Sequence, residues 1–187
     1  MKLKTIINIF GGPGVGKSTV AAGLFSLMKK EGYNVEFVTE YAKELTYEGR
    51  YNVLEQDQLY IFAKQHRKIL RLKYEVDYII SDSPLLLSVV YSELNPYNIH
   101  DHELFKKLVY DINSKYHNLN IFLKRNGKHE YKQEGRYQDK EGAMFVDKAI
   151  ESVLSKQNDK ITFINYDDKT VLQIFKLLEE MNNEEGN

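Results

Sequence analysis

Nine consecutive residues, Gly11-Gly12-Pro13-Gly14-Val15-Gly16-Lys17-Ser18-Thr19, combine the ingredients needed to hold a chain of phosphates. A glycine, four residues and then Gly-Lys-Ser is the spacing of a loop whose backbone amides close around an anion. The glycines leave no side chain in the way, and Lys17 adds a point charge at the outer phosphates. Ser18 offers a hydroxyl to the magnesium ion that travels with a nucleoside triphosphate. Gly11 through Thr19 are therefore the expected nucleotide-binding residues, with ATP and Mg2+ as the expected cofactors. Lys17 is also expected to act in catalysis.

Such a loop works only between a buried strand and a helix, and its flanks supply both. Thr5 to Phe10 reads as a core strand, and Thr19 to Lys30 as a helix whose positive end faces the phosphates. Further along, strand and helix patterns keep alternating. Strands are expected at 34–39, 76–81, 119–123 and 161–164, and helices at 53–73, 102–116, 141–156 and 170–181. Asp101 reads as the cap of the helix from His102, which is expected to bury Leu104, Phe105, Leu108, Val109 and Ile112. The helix from Glu141 is expected to bury Phe145, Ala149, Ile150, Val153 and Leu154. This alternation predicts an α/β fold, a parallel sheet covered by helices on both faces, in one domain over residues 1–187. Residues 182–187 read as a polar, disordered tail.

In open α/β sheets, ligands gather beyond the carboxyl ends of the strands. The second strand delivers Glu40 to that rim and the third delivers Asp82. Asp82 suits the magnesium shell together with Ser18, and Glu40 suits a general base that takes a proton from an acceptor hydroxyl. The alternative exchanges these jobs, with Glu40 on the metal shell and Asp82 nearer the acceptor. On the long helix, Leu54, Ile61, Phe62, Ile69 and Leu72 share one stripe, with Gln58 and Gln65 in its middle. An amide both donates and accepts, so either glutamine suits the edge of a nucleobase or a carboxamide. Tyr41 and Arg50, between Glu40 and that helix, are weaker candidates for touching the acceptor. The basic, polar stretch at about 124–140 reads as a lid, with Arg125 and Arg136 as candidates for stabilising transferred phosphate. His100 and His102 have no further ligands around them and read as a solvated helix start.

Composition narrows the function classes. A net charge of -1 gives no reason to expect indiscriminate nucleic-acid binding. With no cysteine, disulfides and thiolate metal sites are excluded, and a reducing cytoplasm is the natural setting. The apolar runs at 5–10 and 85–91 are too short to span a bilayer, so no membrane partner is expected.

The phosphate loop, Val38-Thr39-Glu40-Tyr41-Ala42, Ser81-Asp82-Ser83-Pro84 and Tyr131…Gly135-Arg136-Tyr137-Gln138 together resemble the P-loop kinase group. Within it, the chain resembles the AAA-like ATPase/kinase family related to nicotinamide riboside kinase, many of whose members are phage-encoded. The resemblance implies a three-layer α/β/α P-loop NTPase fold, a five-stranded sheet in the order 2-3-1-4-5 and a small lid. It also implies transfer of the γ-phosphate of ATP to a small-molecule acceptor, most often a nucleoside or nucleotide. From related nucleoside kinases, the role of base carries over to Glu40 and base reading to Gln58 or Gln65. A hydroxymethylated base in phage DNA is the alternative acceptor, which the near-neutral charge supports little. The resemblance leaves oligomeric state open, a homodimer included.

A regulatory nucleotide switch is the reading from another class, but the Asn/Thr-Lys-x-Asp guanine motif is absent. A motor would want an acid directly after Asp82, where Ser83 stands. Kinase chemistry remains the leading expectation. Lys17→Ala is expected to abolish ATP-dependent phosphorylation with the fold intact. Labelled-phosphate transfer alongside circular dichroism checks this, and wild-type turnover by the variant removes Lys17 from the mechanism.

Overall fold

Six buried residues, Thr5–Phe10, form the central strand β1, which pairs in parallel on both sides. In this computed structural model the described residues are 5–95, 97–126, 140–156 and 160–185. The remaining strands are β2 (Val35–Val38), β3 (Tyr78–Ser81), β4 (His117–Lys124) and β5 (Ile161–Asn165). All pairings are parallel and the order is β2-β3-β1-β4-β5. A strand buried on both faces reads as a continuous apolar run, and β1 shows it. Ile6 and Phe10 point into one core and Ile7 and Ile9 into the other. Asn8, on the Ile6 face, is satisfied because its Nδ2 donates to the Oδ1 atoms of Asn118 and Asn120 on β4.

Helices α1 (Lys17–Lys30) and α8 (Thr170–Glu185) cover one face. The other is covered by α4 (Gln58–Leu70), α5 (Leu87–Leu94), α6 (His102–Asn113) and α7 (Lys140–Ser155). Two short helices, α2 (Tyr41–Tyr47) and α3 (Tyr51–Gln56), lie between β2 and α4.

Several expectations are corrected. The long helix is broken at Asp57, whose side chain leaves the helical path to accept the Tyr60 amide and cap α4. The polar segment after Glu40 is helical, and the apolar run after Pro84 forms α5. The tail is not disordered at its start, since α8 runs to Glu185 and the Tyr78 hydroxyl donates to Asn182 Oδ1. Residues 127–139 of the expected lid, Arg136 included, lie outside the described residues.

Asp101 does cap α6, accepting the Leu104 amide at 2.9 Å. The buried face of α6, however, is Phe105, Val109 and Asn113, with Leu104 65% exposed and Leu108 also outside the core. On α7, Ile150, Val153 and Leu154 are buried as expected, but Val146 takes the place assigned to Phe145, which is 64% exposed. In both helices the apolar residues outnumber the places a narrow core stripe offers, so composition alone misjudges which turn inward.

These faces predict a contrast. Ile150→Ala is expected to cost about 2–5 kcal/mol, whereas Phe145→Ala should stay within roughly 0.5 kcal/mol. Denaturant unfolding of both variants checks it.

Candidate active site

The loop between β1 and α1 turns at the carboxyl end of the central strand and ends at Gly16, the residue before the first turn of α1. Gly16 has φ 107°, and a Cβ there would stand 2.6 Å from the ring of Tyr166. Backbone conformation and contact both demand glycine at this position. No side chain caps α1, so its leading amides and positive dipole end are available to an anion. Lys17 Nζ donates to the carbonyls of Gly11 at 2.8 Å and Gly12 at 3.2 Å, which holds the ammonium over the loop.

Asp82 follows the end of β3 and is buried. Its Oδ2 accepts the Ser18 hydroxyl at 2.6 Å, while Oδ1 is buried with no partner among the described residues. A carboxylate oxygen left unsatisfied in the interior is costly. Its position beside the Ser18 hydroxyl fits a magnesium ion or a water of its shell. Magnesium is commonly held by one or two carboxylates plus substrate phosphates. Among the described residues no group of three or more His, Asp or Glu is placed to hold a metal by itself.

Glu40 occupies the N-cap position of α2, two residues beyond β2. Lys68 on α4 fastens the preceding residue by donating to the Thr39 carbonyl at 3.1 Å, and it also pairs with Glu44. Ser18, Glu40 and Asp82 line a common cleft of about 260 Å3, so the two acids share one neighbourhood with the loop. Removal from water pushes the Glu40 carboxyl above its ordinary value, with Asp82 adding to the rise and Lys17 opposing it. Lys17 is pushed down by the same desolvation, against the pull of Glu40, Asp82 and Asp147. A carboxylate raised toward neutral pH is the stronger base in its ionised form, which is what proton abstraction from a hydroxyl requires.

A larger cavity of about 480 Å3 runs from Pro13, Lys17 and Ser18 past Glu40 to Gln58 and Gln65. Both glutamines are buried. Gln65 Oε1 accepts the Tyr41 amide at 2.9 Å, and its Nε2 has no partner among the described residues. Asn98 stands in the same wall. Its Nδ2 donates to the Tyr91 carbonyl at 3.2 Å, and its Oδ1 is likewise buried without a described partner.

The remaining sequence candidates fall elsewhere. The Tyr41 hydroxyl donates to that of Tyr60 at 3.0 Å, and burial together with that bond pushes Tyr41 up to about 12. Arg50 pairs with Glu48 on the surface, and neither Tyr41 nor Arg50 lines the cavity. Arg125 is tied to Asp147 and to the Pro13 carbonyl, beside the loop. Sequence reading missed Asn98, Asp147 and Tyr166. Asn98 follows an apolar run whose helix went unread, and Asp147 is an acid on an apparently ordinary amphipathic helix. Tyr166 gave one usable signal, its position directly after a strand.

The sequence matches the AAA_28 family, described as an AAA domain, over residues 6–169. The chain belongs to that family. Comparison with curated proteins gave no match. Among solved structures it is similar to deoxyadenosine kinase from M. mycoides with bound dATP, at 19% identity and a TM-score of 0.60. That likeness covers 93% of this chain and 99% of the other. It is also similar to NadR protein in complex with NR, at 16% identity and a TM-score of 0.64, covering 95% of this chain and 51% of that one. At these identities the likeness is one of fold, which in this chain is the parallel sheet of order β2-β3-β1-β4-β5 with helices on both faces. No helix among the described residues is long and apolar enough to cross a membrane.

The raised Glu40 carboxyl has a thermodynamic consequence. Its proton is held to higher pH folded than unfolded, so its contribution is full below the unfolded value and lost as pH rises through the folded one. Glu40→Gln is therefore expected to be more stable than wild type near neutral pH, with the advantage fading in acid below the ordinary carboxylate range. Thermal melts across pH measure it, and a variant less stable at neutral pH contradicts the assignment.

Proposed function

We propose that this protein transfers the γ-phosphoryl group of ATP to a hydroxyl of a nucleoside. One observation carries the reading. A single cavity joins the phosphate loop, a carboxylate poised as base and a wall of buried amides sized for a base or carboxamide ring. Resemblance in fold to proteins named for deoxyadenosine and for NR binding supports the same acceptor class.

The reaction assigns each group one task. The loop amides and Lys17 hold the triphosphate, and Lys17 neutralises charge at the transferred group. Ser18 and Asp82 would hold magnesium, which supplies further neutralisation of the phosphate oxygens. Glu40 takes the proton of the acceptor hydroxyl as its oxygen bonds to the γ-phosphorus, while the bond to the ADP oxygen breaks. Gln58, Gln65 and Asn98 orient the ring. Gln65 offers N–H donors, since Tyr41 occupies its oxygen, and Asn98 offers an acceptor, since Tyr91 occupies one of its N–H groups.

The lining favours a nucleoside over a nucleotide. Among the described residues the basic groups in the cavity are Lys17 and Lys43, while the far wall carries amides, apolar side chains and Glu55. A phosphorylated acceptor calls for a guanidinium clamp.

A screen with γ-labelled ATP against nucleosides, mononucleotides, nicotinamide riboside and hydroxymethylated DNA tests the proposal. Label is expected on a nucleoside-class acceptor. Glu40→Gln should lower kcat by about 10²–10⁴-fold with ATP affinity nearly unchanged. Asn98→Leu and Gln65→Leu should raise the KM of the acceptor and leave that of ATP alone. Label appearing only as free phosphate, or only on mononucleotides or DNA, overturns the reading.

A further inference from the structure

Asp147 is the side chain the mechanism has not used, and its carboxylate makes two bonds. Oδ1 accepts the backbone N–H of Gly12, and Oδ2 accepts Nε of Arg125. Arg125 in turn donates through Nη2 to the Pro13 carbonyl at 2.6 Å. One acid on α7 thus grips the first arm of the phosphate loop twice, directly at Gly12 and through a guanidinium at Pro13. That same arm carries Lys17, because the Gly11 and Gly12 carbonyls accept its ammonium.

The glycine contacts give independent support. A Cβ on Gly12 would lie 2.5 Å from the Ala143 carbonyl oxygen and 2.7 Å from Asp147 Oδ1. Helix α7 is therefore seated on the loop backbone itself, with no room for a side chain between. Asp147 and Arg125 are both mostly shielded, with side chains 17% and 24% exposed. A pair so placed is less screened than a surface bridge, and removing one member leaves the other charge uncompensated.

We infer that Asp147 is a positioning residue for ATP. Through Gly12 and Arg125 it fixes the arm of the phosphate loop that carries Lys17, without touching the nucleotide. The inference rests on the nucleotide-binding half of the proposed function and is indifferent to which acceptor is used. An error of about 1 Å in such placement is enough to cost on the order of 10²-fold.

The experiment is calorimetric binding of Mg-ATP to wild type, Asp147→Ala, Asp147→Asn, Arg125→Ala and the Asp147→Ala/Arg125→Ala double variant, with circular dichroism on each. Asp147→Ala is expected to weaken ATP binding about 10- to 100-fold. Asp147→Asn keeps the acceptor for Gly12 but sets an N–H against Arg125, so it should fall between. The double variant should bind ATP about as Asp147→Ala does, because the two residues act as a unit. The acceptor KM, measured at saturating ATP, should stay at the wild-type value, which a general loss of packing would not spare. ATP affinity within twofold of wild type in Asp147→Ala, or penalties that multiply in the double variant, overturns the inference. If Asp147→Ala does not fold, Asp147→Asn decides, and wild-type affinity there is equally fatal. A wild-type protein that binds no Mg-ATP sinks the nucleotide reading and this inference together. Binding by wild type with an indifferent Asp147 sinks this inference alone.

Discussion

The constraint on which everything else depends is the crowding of Lys17, Glu40 and Asp82, one cation and two acids, around the β1–α1 loop at the carboxyl rim of the sheet. Each of these charges would be expensive in a shielded place alone. Desolvation drives Lys17 down and Glu40 up, and their opposite signs hold that tendency in check. Burial that moves both groups away from their ordinary values costs stability. The arrangement survives because the sheet beneath leaves little freedom for the strands that deliver it. β1 is buried over its whole length between β3 and β4, and Asn8 ties it to β4 by two side-chain bonds.

Around that rim, each contact restricts motion of the phosphate loop or of the residues facing it. Tyr166 stands against Gly16 from the end of β5, Asp147 and Arg125 hold Gly12 and Pro13, and Ser18 is bonded to Asp82. Lys68 plays a similar part for the Glu40 corner through Thr39 and Glu44. The cavity wall of buried amides is built differently. There the break at Asp57 turns the chain so that α4 starts at Gln58, and the α5-following loop clasps it. Asn95 Nδ2 donates to the Glu55 carbonyl at 2.7 Å, and the Gln58 amide donates to the Asn98 carbonyl at 3.3 Å.

Much of this was legible beforehand, and the reason differs by element. The phosphate loop is readable because its geometry tolerates few residue types. The strands are readable because burial on both faces forces continuous apolar runs. The strand order came with the family resemblance, and the structure agrees with it. Gln58 and Gln65 stood out because amides in an apolar stripe need partners, and both are buried in the cavity wall. The helix break at Asp57 was hidden because apolar periodicity continues across it, and only the cap of Asp57 on Tyr60 ends the turn. The exposed Leu104 and Phe145 misled because side-chain type cannot say which of two apolar neighbours the core has room for. Asp147 and Asn98 depend on elements far apart in the chain, and pairings of that kind leave no local pattern.

The most direct measurement of the central claim is the pH dependence of kcat/KM for phosphoryl transfer, taken for wild type and for Glu40→Gln. A base held up by burial predicts a wild-type activity that falls in acid with a midpoint above the ordinary carboxylate range, and no such limb in the residual activity of the variant. An acid limb of unchanged position in Glu40→Gln would assign the base to another group and contradict the account.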